Sequence, residues 1–226
     1  MSSSGLPLLN SRQIKELDTL AEERFGILVD WLMEAAGWAV ARFCTEPAVV
    51  VCGVGNNAGD GLAAARHLHR WGRLAGVCCI DAERMRGPAA LELDALQRLG
   101  VDVWEEPRLA DAALVVDAIF GIGLTHSPKR RFADWIEAIN GSGKRVIAVD
   151  VPSGLNADSG IAYAPTVRAD LTVTLGSPKH GLVQGDGPRL AGEVWVADIG
   201  IPAEAYALLG ITAPGLVFGE RGAVRL

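Results

Sequence analysis

The run Val-Val-Val-Cys-Gly-Val-Gly-Asn-Asn-Ala-Gly-Asp-Gly, residues 49–61, carries the first statement of the fold. Val49, Val50, Val51 and Cys52 form a short continuous apolar run, as a strand buried on both faces does. Glycines 53, 55, 59 and 61 follow, with Asn56, Asn57 and Asp60 among them, and residues 62–71 then turn helical. A Val-rich strand, a glycine-rich turn and a helix open a β-α-β unit, whose parallel sheet takes its ligand beyond the carboxyl ends of its strands. Glycine lets a ligand approach the backbone closely, and the following helix turns free N–H groups and a partial positive charge toward the turn, which suits a phosphate. The spacing departs from the dinucleotide fingerprint G-x-G-x-x-G, and a tight turn with Asp60 as helix cap explains the same residues equally well.

Upstream, Ile14, Leu17, Leu20 and Ala21 fall on one helical face with Ser11 as the expected N-cap, and a second helix is expected over residues 28–43. Downstream, strands are expected at 74–80, 101–104, 114–116, 146–149, 171–175 and 194–199, and helices at 89–99 and 133–139. This alternation predicts an α/β protein, a Rossmann-like three-layer sandwich with a mostly parallel central sheet and helices on both faces. Residues 1–10 are expected to be a flexible N-terminus and 11–226 a single domain, because one core keeps growing to roughly 250 residues.

The 226 residues are 50% apolar and carry a net charge of −6, which argues against nucleic acid or an anionic membrane as a partner. No apolar run approaches the roughly 18 residues of a membrane span, and no signal-peptide pattern opens the chain, so the cytoplasm is the expected location. Cys44, Cys52, Cys78 and Cys79 lie in apolar runs without metal-site spacing and read as reduced, buried thiols.

Two further strand ends are rich in polar groups and glycine. Residues 116–124 read VDAIFGIGL, placing Asp117 among apolar neighbours, where a carboxylate is costly unless it meets a cation or several donors. Residues 149–154 read VDVPSG, so Asp150 ends an apolar strand and Pro152 stops it, exposing the Ser153 hydroxyl on a turn. Each aspartate taken singly could be a satisfied structural carboxylate; three such ends on one rim of one sheet read as a site. No G-x-S-x-G elbow appears. His67 and His69 are expected on the surface of their helix. The gathered groups are oxygen donors, which suit a hard cation better than zinc. The residues themselves lead to a nucleotide-like ligand, an alkali or alkaline-earth ion, and carboxylate acid–base chemistry.

At these residues the chain resembles the YjeF N-terminal-domain family, whose enzymatic members are NAD(P)HX epimerases. GVGNNAGDGLAAARHL, VDAIFGIGL and VIAVDVPSGLNADSG resemble its three signature blocks in order, with weaker echoes in LMEAAG, LTVTLGSPKHGL and GEVWVADIGIP. The resemblance implies a Rossmann-like fold, a homodimer, the substrates NADHX and NADPHX, and one potassium ion (K+) per subunit. By motif position it implies substrate contacts from Asn56, Asn57, Ala58, Gly59 and Asp60, and from Gly121, Ile122, Gly123, Leu124, Thr125, His126 and Ser127. Asp150 would contact substrate and act as the catalytic acid–base group, and Asn57, Asp117 and Ser153 would be potassium ligands. Ala58 stands where the family usually has glycine, and it is expected in an ordinary backbone conformation. Bifunctional relatives carry a second, NAD(P)HX dehydratase domain. With the sequence ending on the stretch 219–226, this chain is expected to be a stand-alone epimerase or one domain excised from a longer protein.

Two other functions compete. A non-catalytic nucleotide- or protein-binding module of the same fold would show degenerate site residues, whereas here they all stand. A conventional NAD(P)-dependent oxidoreductase would want the three-glycine fingerprint and an acidic residue near Asp81, and it gives the asparagine pair no role.

Overall fold

The computed structural model describes residues 5–215, 218 and 222–226. Two helices, α1 (Ser11–Phe25) and α2 (Val29–Phe43), precede the first strand, β1 (Ala48–Cys52). The chain then runs through α3 (Asn56–Arg70), β2 (Leu74–Cys79), α4 (Gly87–Arg98), β3 (Val103–Trp104), β4 (Leu114–Ala118), α5 (Arg131–Gly141) and β5 (Arg145–Val149). A long irregular crossover leads to β6 (Leu171–Leu175). Short helices α6 (His180–Val183) and α7 (Gly187–Leu190), β7 (Glu193–Ala197), α8 (Ala203–Leu208) and β8 (Ala223–Arg225) complete it.

The eight strands lie in the order β3-β2-β1-β4-β5-β6-β7-β8, all pairs parallel except β7 with β8. Successive residues of β1 face opposite layers. Val50 and Cys52 pack with α2, α3 and α4, and Val49 and Val51 pack with Trp135, Ile136 and Ile139 of α5. This is the expected three-layer sandwich. The strand order reverses between β1 and β4, the topological switch point at which such sheets take ligands.

Several local expectations change. Residues 56–61, read as a turn, are the first turn and a half of α3, and Gly55 rather than Asp60 is its N-cap. The glycines there serve packing: a Cβ on Gly61 would lie 2.4 Å from the Ala118 Cβ, and one on Gly59 2.5 Å from the Met33 sulfur. Asn10 rather than Ser11 caps α1, in a reciprocal capping box with Gln13. The flexible N-terminus expected over residues 1–10 does not hold from Leu6 onward. Leu6 and Leu9 are buried, and Leu9 bridges Lys179 through bonds to the Pro178 carbonyl and from the His180 N–H. Residues 1–4 lie outside the described residues.

His67, expected at the surface, is buried between α2 and α3, against the Trp38 and Trp71 rings and 3.0 Å from a Glu34 oxygen. Burial lowers its pKa. The last residues, read as a tail, form β8 from Ala223. All four cysteines are free and buried. Among the described residues, no helix is long and apolar enough to cross a membrane.

Candidate active site

A cavity of about 490 Å³ opens at the carboxyl ends of the strands beside the switch point. Three walls come from the quoted motifs. Asn56, Asn57 and Asp60 stand on the first turns of α3; Gly121, Ile122, Gly123, Leu124, Thr125 and His126 follow β4; Asp150 follows β5. Ala58, Gly59 and Ser127, expected among the substrate contacts, do not line it. Ala58 faces the core with a negative φ, since the helix turns its Cβ inward. Ser127 is exposed in the loop beyond His126.

The α3 terminus supplies donors. The Gly55 carbonyl accepts the N–H groups of Ala58 and Gly59, so those of Asn56 and Asn57 are not spent within the helix. They and the helix dipole suit an anion at this wall.

Asp150 sits directly after β5 with φ +67°, a left-handed conformation costly for a residue with a Cβ. Its N–H donates to the Val173 carbonyl, which holds the turn against β6. All its side-chain bonds fall on Oδ1: the Lys179 ammonium at 2.5 Å, the Leu175 N–H at 3.2 Å and the Thr174 hydroxyl at 3.3 Å. Oδ2 is thereby left to the cavity. Lys179 is fully buried and gives a second bond to the Leu175 carbonyl at 2.7 Å. Backbone strain at one residue, over-determined by four bonds, marks a position held for use.

Two of the expected ion ligands, Asp117 and Ser153, are fully buried and do not line the cavity, whereas Asn57 does. The Ser153 hydroxyl donates to Asp117 Oδ1 at 2.6 Å and its N–H to Oδ2 at 2.8 Å, while the Phe120 N–H donates to the Ser153 hydroxyl at 2.8 Å. Burial pushes the Asp117 carboxyl up to about 6, opposed by the bonds from Ser153 and Ile119. Asn57 approaches the same loop: a Cβ on Gly121 would lie 3.0 Å from its Oδ1. Both polar atoms of the Asn57 amide are buried without a partner among the described residues, which costs about 1–3 kcal/mol unless something else binds them.

The sequence motifs missed another part of the site. Ile14, Lys15 and Asp18 come from α1, Leu32 and Met33 from α2, Leu175 and Lys179 from the β6 end, and Ile199 and Ile201 from beyond β7. Asp18 and Asp60 make no hydrogen bond or ion pair with any described residue. Burial pushes the Asp18 carboxyl up to about 6, with Lys179 opposing and Asp150 adding to the shift. Burial, then the charges of Asp150 and Asp18, push Asp60 well above the ordinary carboxylate range. The site therefore combines a helix terminus suited to an anion, an apolar wall, a buried ion-paired carboxylate and two carboxyls whose pKa burial raises.

Known proteins resemble this chain in sequence and in fold. Residues 29–181 match the family described as YjeF-related protein N-terminus. The NAD(P)H-hydrate epimerase of Rhodopirellula baltica is 36% identical over 211 residues, covering 88% of this chain and 86% of the relative. The bifunctional NAD(P)H-hydrate repair enzyme Nnr of Thermofilum pendens is 42% identical over 210 residues, and the match takes up 84% of this chain but only 39% of that longer protein. The crystal structure of yeast ynu0, YNL200c, superposes with a TM-score of 0.83 over 98% of this chain at 24% identity, a likeness of fold. With the motif blocks on three adjacent strand ends and the family match spanning all of them, the chain belongs to the YjeF-related N-terminal family.

Proposed function

We propose that this chain is an NAD(P)H-hydrate epimerase, interconverting the R and S forms of hydrated NADH and NADPH at C6 of the nicotinamide ring. The observation that carries the reading is Asp150, held through Oδ1 by Lys179, Leu175 and Thr174 with Oδ2 toward a cavity that also receives the α3 terminus. In this reading the helix terminus takes the pyrophosphate, and Ile14, Leu32, Met33 and Ile199 enclose the hydrated ring. Asp150 assists proton transfer while the C6 hydroxyl leaves and returns through a ring-stabilised cation. The names of the relatives support this substrate class.

The same reading includes a potassium ion, and the residues fit one. Asn57 Oδ1, Asp117 and Ser153 Oγ are hard oxygen donors, the Asn57 amide lacks a partner, and Asp117 is a buried carboxylate with no cation beside it among the described residues. A bound monovalent cation would neutralise that charge and brace the 117–124 loop against α3. The longer bifunctional relatives support a further reading, in which the epimerase feeds a second repair activity. The test is to add the chain to one purified NADHX epimer and follow the C6 proton by NMR. Equilibration well above the spontaneous rate is expected; hydride transfer to added NADP+ without epimerisation would favour an oxidoreductase.

A further inference from the structure

The motifs account for one proton-handling group, Asp150, yet the cavity holds a second carboxyl from an element outside them. Asp18 lies on α1, before the family-matched residues 29–181. Its helix is fixed over the cavity at its start. The Ser11 N–H and hydroxyl donate to Asp158 at 2.6 and 2.7 Å, and the preceding Leu9 bridges Lys179. The same ties that seat Lys179 against Asp150 thus seat α1. Asp150 is ion-paired, whereas Asp18 faces the cavity with no bond to any described residue, although it is half-buried. A carboxyl left without donors in such a place is poised to carry a proton.

We propose that Asp18 is a second catalytic residue of this site, the acid that protonates the departing C6 hydroxyl, with Asp150 working from a different wall of the cavity. The inference rests on the epimerase reading above. In the forward step the Asp18 carboxyl gives its proton to the hydroxyl oxygen, and the C6–O bond breaks with its electron pair leaving on water. The ring-nitrogen lone pair then forms the N1=C6 bond of the cation. A water molecule adds to the other face of C6, the N1=C6 pair returns to nitrogen, and the proton released goes to the Asp150 carboxylate. The opposite epimer runs the same steps with the two carboxyls exchanged; between turnovers Asp150 releases its proton to water and Asp18 takes one up, and no oxidant or reductant is needed. Two carboxyls with environments that differ in this way are the pattern expected of paired acid and base.

The charged and titratable groups around Asp18 are Lys179 and Asp150 from the segments after β6 and β5, Asp60 from α3, Tyr206 from α8 and Lys15 on its own helix. Burial raises its carboxyl to about 6, so the acid form dominates below that pH and is lost above it.

The test follows epimerisation of a single NADHX epimer by NMR from pH 5 to 8, with the spontaneous rate subtracted. Wild-type protein, Asp18→Asn and Asp18→Glu are compared, and binding is measured alongside. The wild-type rate should fall as pH rises through about 6. Asp18→Asn should be slower by about 100-fold or more, the usual weight of a general acid, and should lose that limb while binding stays within threefold. Asp18→Glu, which keeps the carboxyl, should recover part of the rate and the limb. Turnover within threefold of wild type in Asp18→Asn, with the same limb, overturns the role of Asp18 and leaves the epimerase reading standing. If Asp18→Asn fails to fold, a wild-type rate that does not fall as pH rises through about 6 overturns it as well. Wild-type protein that does not epimerise at all overturns both.

Discussion

Replacing Lys179 by methionine tests how the site is held together. The ammonium is about 1% exposed, and its partner Asp150 about 10%, so neither charge has much access to water. Methionine keeps most of the side-chain volume but removes the bond at 2.5 Å to Asp150 Oδ1 and that at 2.7 Å to the Leu175 carbonyl. The carboxylate keeps only the longer bonds from Leu175 and Thr174, at 3.2 and 3.3 Å. Removing one member of a buried pair costs about 3–5 kcal/mol, because the other charge stays buried without compensation. For a chain of this size each kcal/mol moves Tm by about 2–4 °C, so Lys179→Met should melt roughly 10 °C below wild type. Circular dichroism melts at neutral pH measure this directly. Adding Asp150→Asn to Lys179→Met should recover most of the loss, since asparagine tolerates the left-handed backbone and carries no charge. A Tm loss under 2 °C, or costs that simply add in the double variant, would refute the view that the pair is a buried, coupled unit.

Two further outcomes follow from the packing and the ion site. Asn57→Ala should abolish the Tm gain that potassium chloride gives over choline chloride at equal ionic strength, whereas wild type should show it; equal melting in both salts for wild type would count against the ion. Gly61→Ala should destabilise the fold by about 1–3 kcal/mol in urea melts, because its methyl would meet the Ala118 Cβ at 2.4 Å and force α3 away from β4; an unchanged midpoint would show that the helix shifts freely.

The sheet was legible because buried strands announce themselves through β-branched runs, and β6 falls on the expected residues 171–175. The start of α3 was not. Glycine and asparagine favour turns in isolation, and only the close approach of Met33 and Ala118 makes Gly59 and Gly61 good helix residues here. The three strand ends could be found because each sets polar groups directly after an apolar run. Asp18 could not: on α1 it reads as one more charge on a solvated helix face. What brings it to the site is long-range, namely the contact of Ser11 with Asp158 and of Leu9 with Lys179, more than 140 residues away in sequence. Lys179 sat within a weak motif echo, but nothing in its neighbours discloses that Asp150 neutralises it. Ala58 shows the reverse: the ordinary backbone conformation expected where the family usually has glycine is the one it takes, with its Cβ buried in the core.

The central claim is that Asp150 moves the proton during epimerisation at C6, and the direct measurement compares wild type with Asp150→Asn on a single purified NADHX epimer. Proton NMR follows the approach to the epimer mixture, and a binding titration with the same ligand runs in parallel. The account predicts that Asp150→Asn folds and binds within about threefold of wild type, under 1 kcal/mol, while its epimerisation rate falls by about 100-fold or more. Near-normal turnover in that variant, with binding intact, would contradict it.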